Sequence, residues 1–141
     1  MLCIWAYIGQ VRVNELKAEF SNKLEFDYHF FPVFGDVQEK MISRADGIEG
    51  YAKHVHEVCN GFEHIKIHPE LWKQNIPTSS IGIHTFLKAL QLLEETNILS
   101  KNPRDDFNGN SVFEEYLWRL RKAFFEQAID VSQISELYKL S

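Results

Sequence analysis

Apolar positions in this chain recur mostly at helical spacing. Behind the opening "MLCIWAYIG", Trp5, Val13, Leu16 and Phe20 share one side, with Gly9 at the missing step. Arg12, Glu15, Lys17 and Glu19 take the other sides, so the spacing predicts a helix from about Ile4 to Phe20. The period then drops to two. In "LEFDYHFFPVF", Leu24, Phe26, Tyr28 and Phe30 alternate with Glu25, Asp27 and His29. That alternation predicts a strand over 24–33, which Pro32 ends or confines to an edge. Residues 35–50, with Gly35, Gly47 and Gly50, read as a loose connection. Helical spacing returns at Tyr51, Val55, Val58 and Phe62, and "HIKIH" is a short extended piece stopped by Pro69. The hydroxyls of "PTSS" at 77–80 predict a helix start, followed by the stripe Ile83, Phe86, Leu87, Leu90 and Leu93. After the polar loop 100–110, Ser111 and Glu114 have the spacing of a capping box, and Phe113, Leu117, Leu120 and Phe124 line the helix it opens. Asp130 or Ser132 starts a last helix.

The expected order is therefore helix, strand and four helices, a predominantly helical α+β chain. A single strand cannot satisfy its own backbone groups. It needs a partner from outside, or the sequence is part of something longer. With 45% apolar and 13% aromatic residues in 141, there is material for one substantial core. A net charge of −5 gives no basic stripe for nucleic acid, and no apolar run reaches the length of a membrane span. Two cysteines, Cys3 and Cys59, make no disulfide framework and read as reduced thiols of a cytoplasmic protein.

Cys3 is the sharpest chemical candidate. It lies where the chain enters the first helix, and unpaired amides at a helix start favour a thiolate. Backbone N–H groups near Ile4, Trp5 and Ala6 would hold the negative sulfur, with the Trp5 ring shaping one side of the site. Cys59 falls on the apolar side of its helix and reads as a buried structural residue. The six histidines do not assemble a ligand pattern: "HEVCN" lacks the second histidine of a zinc motif, so no metal is expected. His84 reads as a packing residue, and Ser79 and Ser80 as capping hydroxyls.

"CIWAY" resembles the active-site corner of the DsbA-like thioredoxin family, Cys-Pro-Trp-Cys, often followed by Tyr. "PELWKQNIPTSSIGIHTFLKALQLLEE" is similar to that family's inserted helical domain, and "LRKAFFEQAIDVSQISEL" to its later Arg-x-Ala-Phe-Phe helix and Asp-x-Ser turn. The resemblance implies a partial thioredoxin-like core over 1–44, with one main strand, and a helical insertion over 45–141. It also implies that the other core strands come from a second copy of the chain, a dimer, or lie outside this sequence. Two departures matter. Ile4 stands in place of the family's proline, and Ala6 in place of its resolving cysteine. With Cys3 as the catalytic thiol and Ile4, Trp5 and Ala6 shaping its site, the resemblance implies an oxidoreductase-type protein. It would work by monothiol or glutathione-linked disulfide exchange, with no tightly bound cofactor. Its partners are a thiol or disulfide substrate or glutathione, the last as used by the related kappa-class glutathione transferases and hydroxychromene carboxylate isomerases. The alternatives are an inactive remnant serving as a helical dimerisation or binding module, and a glutathione-dependent isomerase.

Overall fold

Gly9 divides the amino-terminal helix into α1 (Ile4–Ile8) and α2 (Gln10–Phe20). The hydrogen-bond ladder runs through the joint, since Gly9 N–H donates to the Trp5 carbonyl at 2.9 Å and the amides of Arg12 and Val13 donate to the Gly9 carbonyl. The expected stripe is rotated, however. Ile4, Tyr7 and Ile8 are the buried side chains, whereas Trp5 and Leu16 are 57% and 43% exposed. In α2 the inner line is polar as well as apolar: Gln10, Val13, Lys17 and Phe20 are each half-buried. Aliphatic spacing alone misplaces such a face, because the stems of Gln and Lys cover apolar surface too.

In this computed structural model residues 1–20, 23–44 and 47–140 are described. Helix accounts for 56% of the chain, so the molecule is predominantly helical. The expected strand does not form: no sheet occurs among the described residues, and 24–32 carry no regular secondary structure. The period-two burial is nonetheless present. Phe26, Tyr28 and Phe30 are half-buried, while Glu25, Asp27, His29 and Phe31 are exposed. The segment has the alternating burial of a strand but no neighbouring strand to complete a ladder. "HIKIH" offers none, being irregular too, with the His68 amide bonded to the Phe125 carbonyl at 2.7 Å.

The supposed loose stretch contains a helix. Asp36 accepts the Glu39 amide on its Oδ1 at 2.8 Å and starts α3 (Val37–Arg44), which buries Val37 and Met41 one turn apart. The next helix, α4 (Gly47–Cys59), begins four residues before the predicted stripe and buries Ala52, Val55 and Cys59. α5 (Ile81–Glu95) starts as "PTSS" predicts, though only one hydroxyl serves it. Ser79 Oγ accepts the Ile81 amide at 3.1 Å, and the buried Ser80 hydroxyl has no partner. The loop before α6 (Val112–Gln127) holds a 3₁₀ turn over Asp105–Phe107. The capping box at the start of α6 is complete, with Ser111 and Glu114 bonded in both directions. α7 (Ile134–Lys139) is entered through Gln133, while Asp130 closes the turn before it by accepting from the Ser132 amide and the Gln133 side chain.

Helices pack in pairs, α3 on α4 and α5 on α6. One cluster of buried side chains joins them, from Leu2 and Tyr7 through Val55 and Leu71 to Leu87, Leu120 and Leu137. Trp72 sits at its centre, 1% exposed, against Phe34, Tyr51 and Phe124 at ring-centroid distances of 5.7, 5.2 and 5.0 Å. The α5–α6 pair is further tied by Glu94, only 5% exposed. Its carboxylate accepts the Phe113 amide at 2.8 Å and the Ser111 hydroxyl at 3.2 Å. One turn earlier, Gln91 donates to the Tyr28 carbonyl at 3.0 Å and holds the extended segment on the same helix.

Replacing Glu94 with alanine strands a buried amide and a hydroxyl at the tip of α6. Urea unfolding of this variant should show a loss of about 1.5–3 kcal/mol, the range for hydrogen bonds to a charged group. Arg12→Ala, which removes the exposed Arg12–Glu15 pair, should leave the unfolding midpoint where it is.

Candidate functional site

Cys3 is the last non-helical residue before α1, with φ −82° and ψ 121°, and its side chain makes no capping hydrogen bond. Its carbonyl instead accepts the amides of Ala6 and Tyr7, at 3.1 and 3.3 Å. Of the three amides expected to face the sulfur, that of Ala6 is thereby directed at the main chain. The thiol is half-buried and packs against the core cluster. Ile4 is buried, Ala6 half-buried, and Trp5 turns outward, edge-on to Phe62 at 6.2 Å. The four residues stay together as neighbours, but the Trp5 indole rests on the chain following α4.

A residue that sequence reasoning missed stands near Cys3. Arg121, on α6, is half-buried, and its side chain donates to the Gln10 side-chain Oε1. Its Nε has no partner, and no carboxylate pairs with it among the described residues. Burial pulls its pKa down from the usual arginine value, and negative charge on Tyr28 or on the Cys3 sulfur opposes that pull. Helical spacing from Phe113 places position 121 beside the apolar line of α6, where an arginine reads as a flanking surface residue; nothing local marks it as interior.

Cys59 lies at the end of α4, buried and unpaired, and burial raises its thiol pKa. The structure thus contains two free thiols of different access, and no disulfide joins them. His84 is buried on α5, stacked on Phe30 with ring centroids 5.2 Å apart, and its Nε2 lies 3.3 Å from the Met1 amine. Burial, and then the cationic amine, lower its pKa to about 4. Burial first, followed by Arg121, lowers the amine to about 6. Tyr7 and Tyr28 are pushed the other way, above the ordinary phenol range, chiefly by burial and then by Glu126 and Glu114. Tyr7 donates to Glu126 at 2.7 Å and stacks on Phe125 at 4.6 Å. These phenols are donors and packing elements at neutral pH, not bases.

An open groove of about 740 Å³ runs beside α4, lined by Ile48, Ala52, Lys53, His56, Trp72 and others. Both Trp72 Nε1 and His56 Nε2 are buried without partners there. Among the described residues no three His, Cys, Asp or Glu side chains gather as a metal site would need, and no helix is long and apolar enough to cross a membrane.

Comparison with known proteins finds no protein family, no curated protein and no solved structure that matches this chain.

The His84 environment makes stability depend on acid. In the unfolded chain this imidazole takes up a proton near its ordinary value of 6.5, whereas in the fold it stays neutral down to about 4. The unfolded state therefore binds more protons between those values, and stability falls as pH drops through that window. Melting curves between pH 7 and 4 should show Tm decreasing, with a shallower decrease in His84→Gln. Equal slopes would remove His84 as the cause.

Proposed function

We propose that this chain is a DsbA-like relative that performs single-thiol exchange, with Cys3 as the nucleophile. The reading is carried by a free, half-buried Cys3 at the entry to α1, with a half-buried Arg121 that lacks a carboxylate partner among the described residues as the cation that feels its sulfur. Negative charge on the Cys3 sulfur favours the charged form of Arg121, so exchange at Cys3 is linked to a cation on another helix. Ile4 and Trp5 border the site, and Ala6 fixes the course of the reaction.

Cys3 thiolate attacks one sulfur of a disulfide such as oxidised glutathione. The S–S bond breaks, one glutathione leaves as thiolate, and a mixed disulfide remains on Cys3. Ala6 offers no second sulfur, so an external thiol, a glutathione molecule, attacks the mixed disulfide and restores Cys3. No metal or tightly bound cofactor takes part. The thioredoxin-like ancestry of residues 1–44 and the cytoplasmic setting belong to this same reading.

A second reading rests on the backbone of residues 25–31, whose amides have no hydrogen-bond acceptor among the described residues. In it the chain is a helical association module without turnover.

Incubation with oxidised glutathione followed by mass spectrometry separates the two. A single adduct on Cys3 and none on Cys59 is expected, with Cys3→Ser unmodified. Arg121→Gln should slow alkylation of Cys3 at neutral pH relative to the unsubstituted chain. Equal, slow labelling of both cysteines, or no effect of Arg121→Gln, would overturn the thiol mechanism.

A further inference from the structure

Residues 25–31 have the alternation of a strand, and their two backbone edges differ. In an extended chain the N–H and C=O of one residue point to the same side, and successive residues point to opposite sides. The edge bearing Tyr28 is turned toward α5, where Gln91 donates to the Tyr28 carbonyl at 3.0 Å. The other edge carries Glu25, Asp27, His29 and Phe31. Among the described residues the amides of these four donate to nothing, and the carbonyls of Asp27 and His29 accept nothing. Their side chains face outward: Asp27 and His29 are 78% and 71% exposed and touch each other at 2.8 Å. Phe31 and Val33, 75% and 53% exposed, leave apolar surface at the same end of the segment.

We infer that this edge pairs with the same edge of a second copy, as a two-stranded antiparallel ribbon centred on Tyr28, with Asp27 of each chain opposite His29 of the other. The occupant follows from charge and register. A two-fold axis makes the two strands antiparallel and their contacts reciprocal. With Tyr28 opposite Tyr28, the pairs Asp27–His29 and His29–Asp27 fall at hydrogen-bonded positions, using the two residues whose backbone groups are free. Four main-chain hydrogen bonds form across these pairs. Each carboxylate meets an imidazole, which can donate to it whether neutral or protonated. Sliding the register by two residues sets Asp27 against Asp27 or His29 against His29, a like-with-like contact either way. On the inner face the chosen register puts Phe26 opposite Phe30 and Tyr28 opposite itself. These are the close, non-hydrogen-bonded positions where aromatic rings meet. Both inner faces then lie on one side of the ribbon, each over its own α5 and α6. Strand addition of this kind draws its affinity from backbone bonds and its specificity from the alternating side chains.

The inference is independent of the thiol chemistry and is tested with the full chain in reducing buffer, so that a Cys3 disulfide cannot mimic it. Light scattering at micromolar concentration should give twice the 16.5 kDa chain mass. His29→Pro removes a free-edge amide that has no partner within the chain. It should weaken self-association at least about tenfold while leaving the far-ultraviolet circular dichroism unchanged. Asp27→Lys places a cation opposite His29 and should dissociate the dimer. Asp27→Lys with His29→Glu restores opposite charges only in the register centred on Tyr28, and should restore the dimer. A monomeric wild-type chain, a dimer indifferent to His29→Pro, or a double variant that stays monomeric would each overturn the proposal.

Discussion

The arrangement of this molecule depends on one buried carboxylate. Glu94, near the end of α5, accepts the Phe113 amide and the Ser111 hydroxyl at the start of α6. Removing a carboxylate from water is costly unless hydrogen-bond donors surround it. A helix start supplies such donors, since its first amides have no partner within the helix and its dipole favours negative charge. The same turn is also closed by the Ser111–Glu114 box, so the amino end of α6 is fixed both from within and from the helix beside it. That fixed end sets the position of Phe113, on which Tyr28 and Phe30 rest edge-on at 5.2 and 6.1 Å. The extended segment owes its place to α5 and α6 and to no strand.

How much of this was legible in the sequence depended on whether the cause was local. The α6 capping box and its line Phe113, Leu117, Leu120 and Phe124 are local, and both are present in the fold. The α5 start and its buried Ile83 and Leu87 are equally local. α3 was also locally encoded, by Asp36 and Glu39 with Val37 and Met41 one turn apart, but the glycines around it obscured the signal. The strand over 24–33 is a different case. Its alternation is real, yet a strand is a relation between two segments, and among the described residues no second segment pairs with it. Arg121 could not have been found, because burial of a charged side chain depends on which helix is laid over it.

The surroundings of Cys3 differ from those its place ahead of a helix suggests. Cys3 keeps its place ahead of α1, but its own carbonyl takes the amides of Ala6 and Tyr7. A cation on α6, Arg121, is electrostatically coupled to Cys3. Tyr7, four residues on from Cys3, stacks on Phe125 and Trp118 and so packs α1 on α6.

Trp72 holds a backbone φ of +64°, a left-handed value that a bulky residue adopts only under constraint. The constraint is the ring's enclosure by Phe34, Tyr51 and Phe124, which come from the segments before α3, within α4 and within α6. The backbone conformation and the aromatic enclosure therefore persist or vanish together. If any wall of that box departs, the main chain at 72 relaxes to an ordinary conformation and the indole has no reason to return. Loss of order at this point would spread to both helix pairs at once, so the two halves of the molecule should melt as a single cooperative unit.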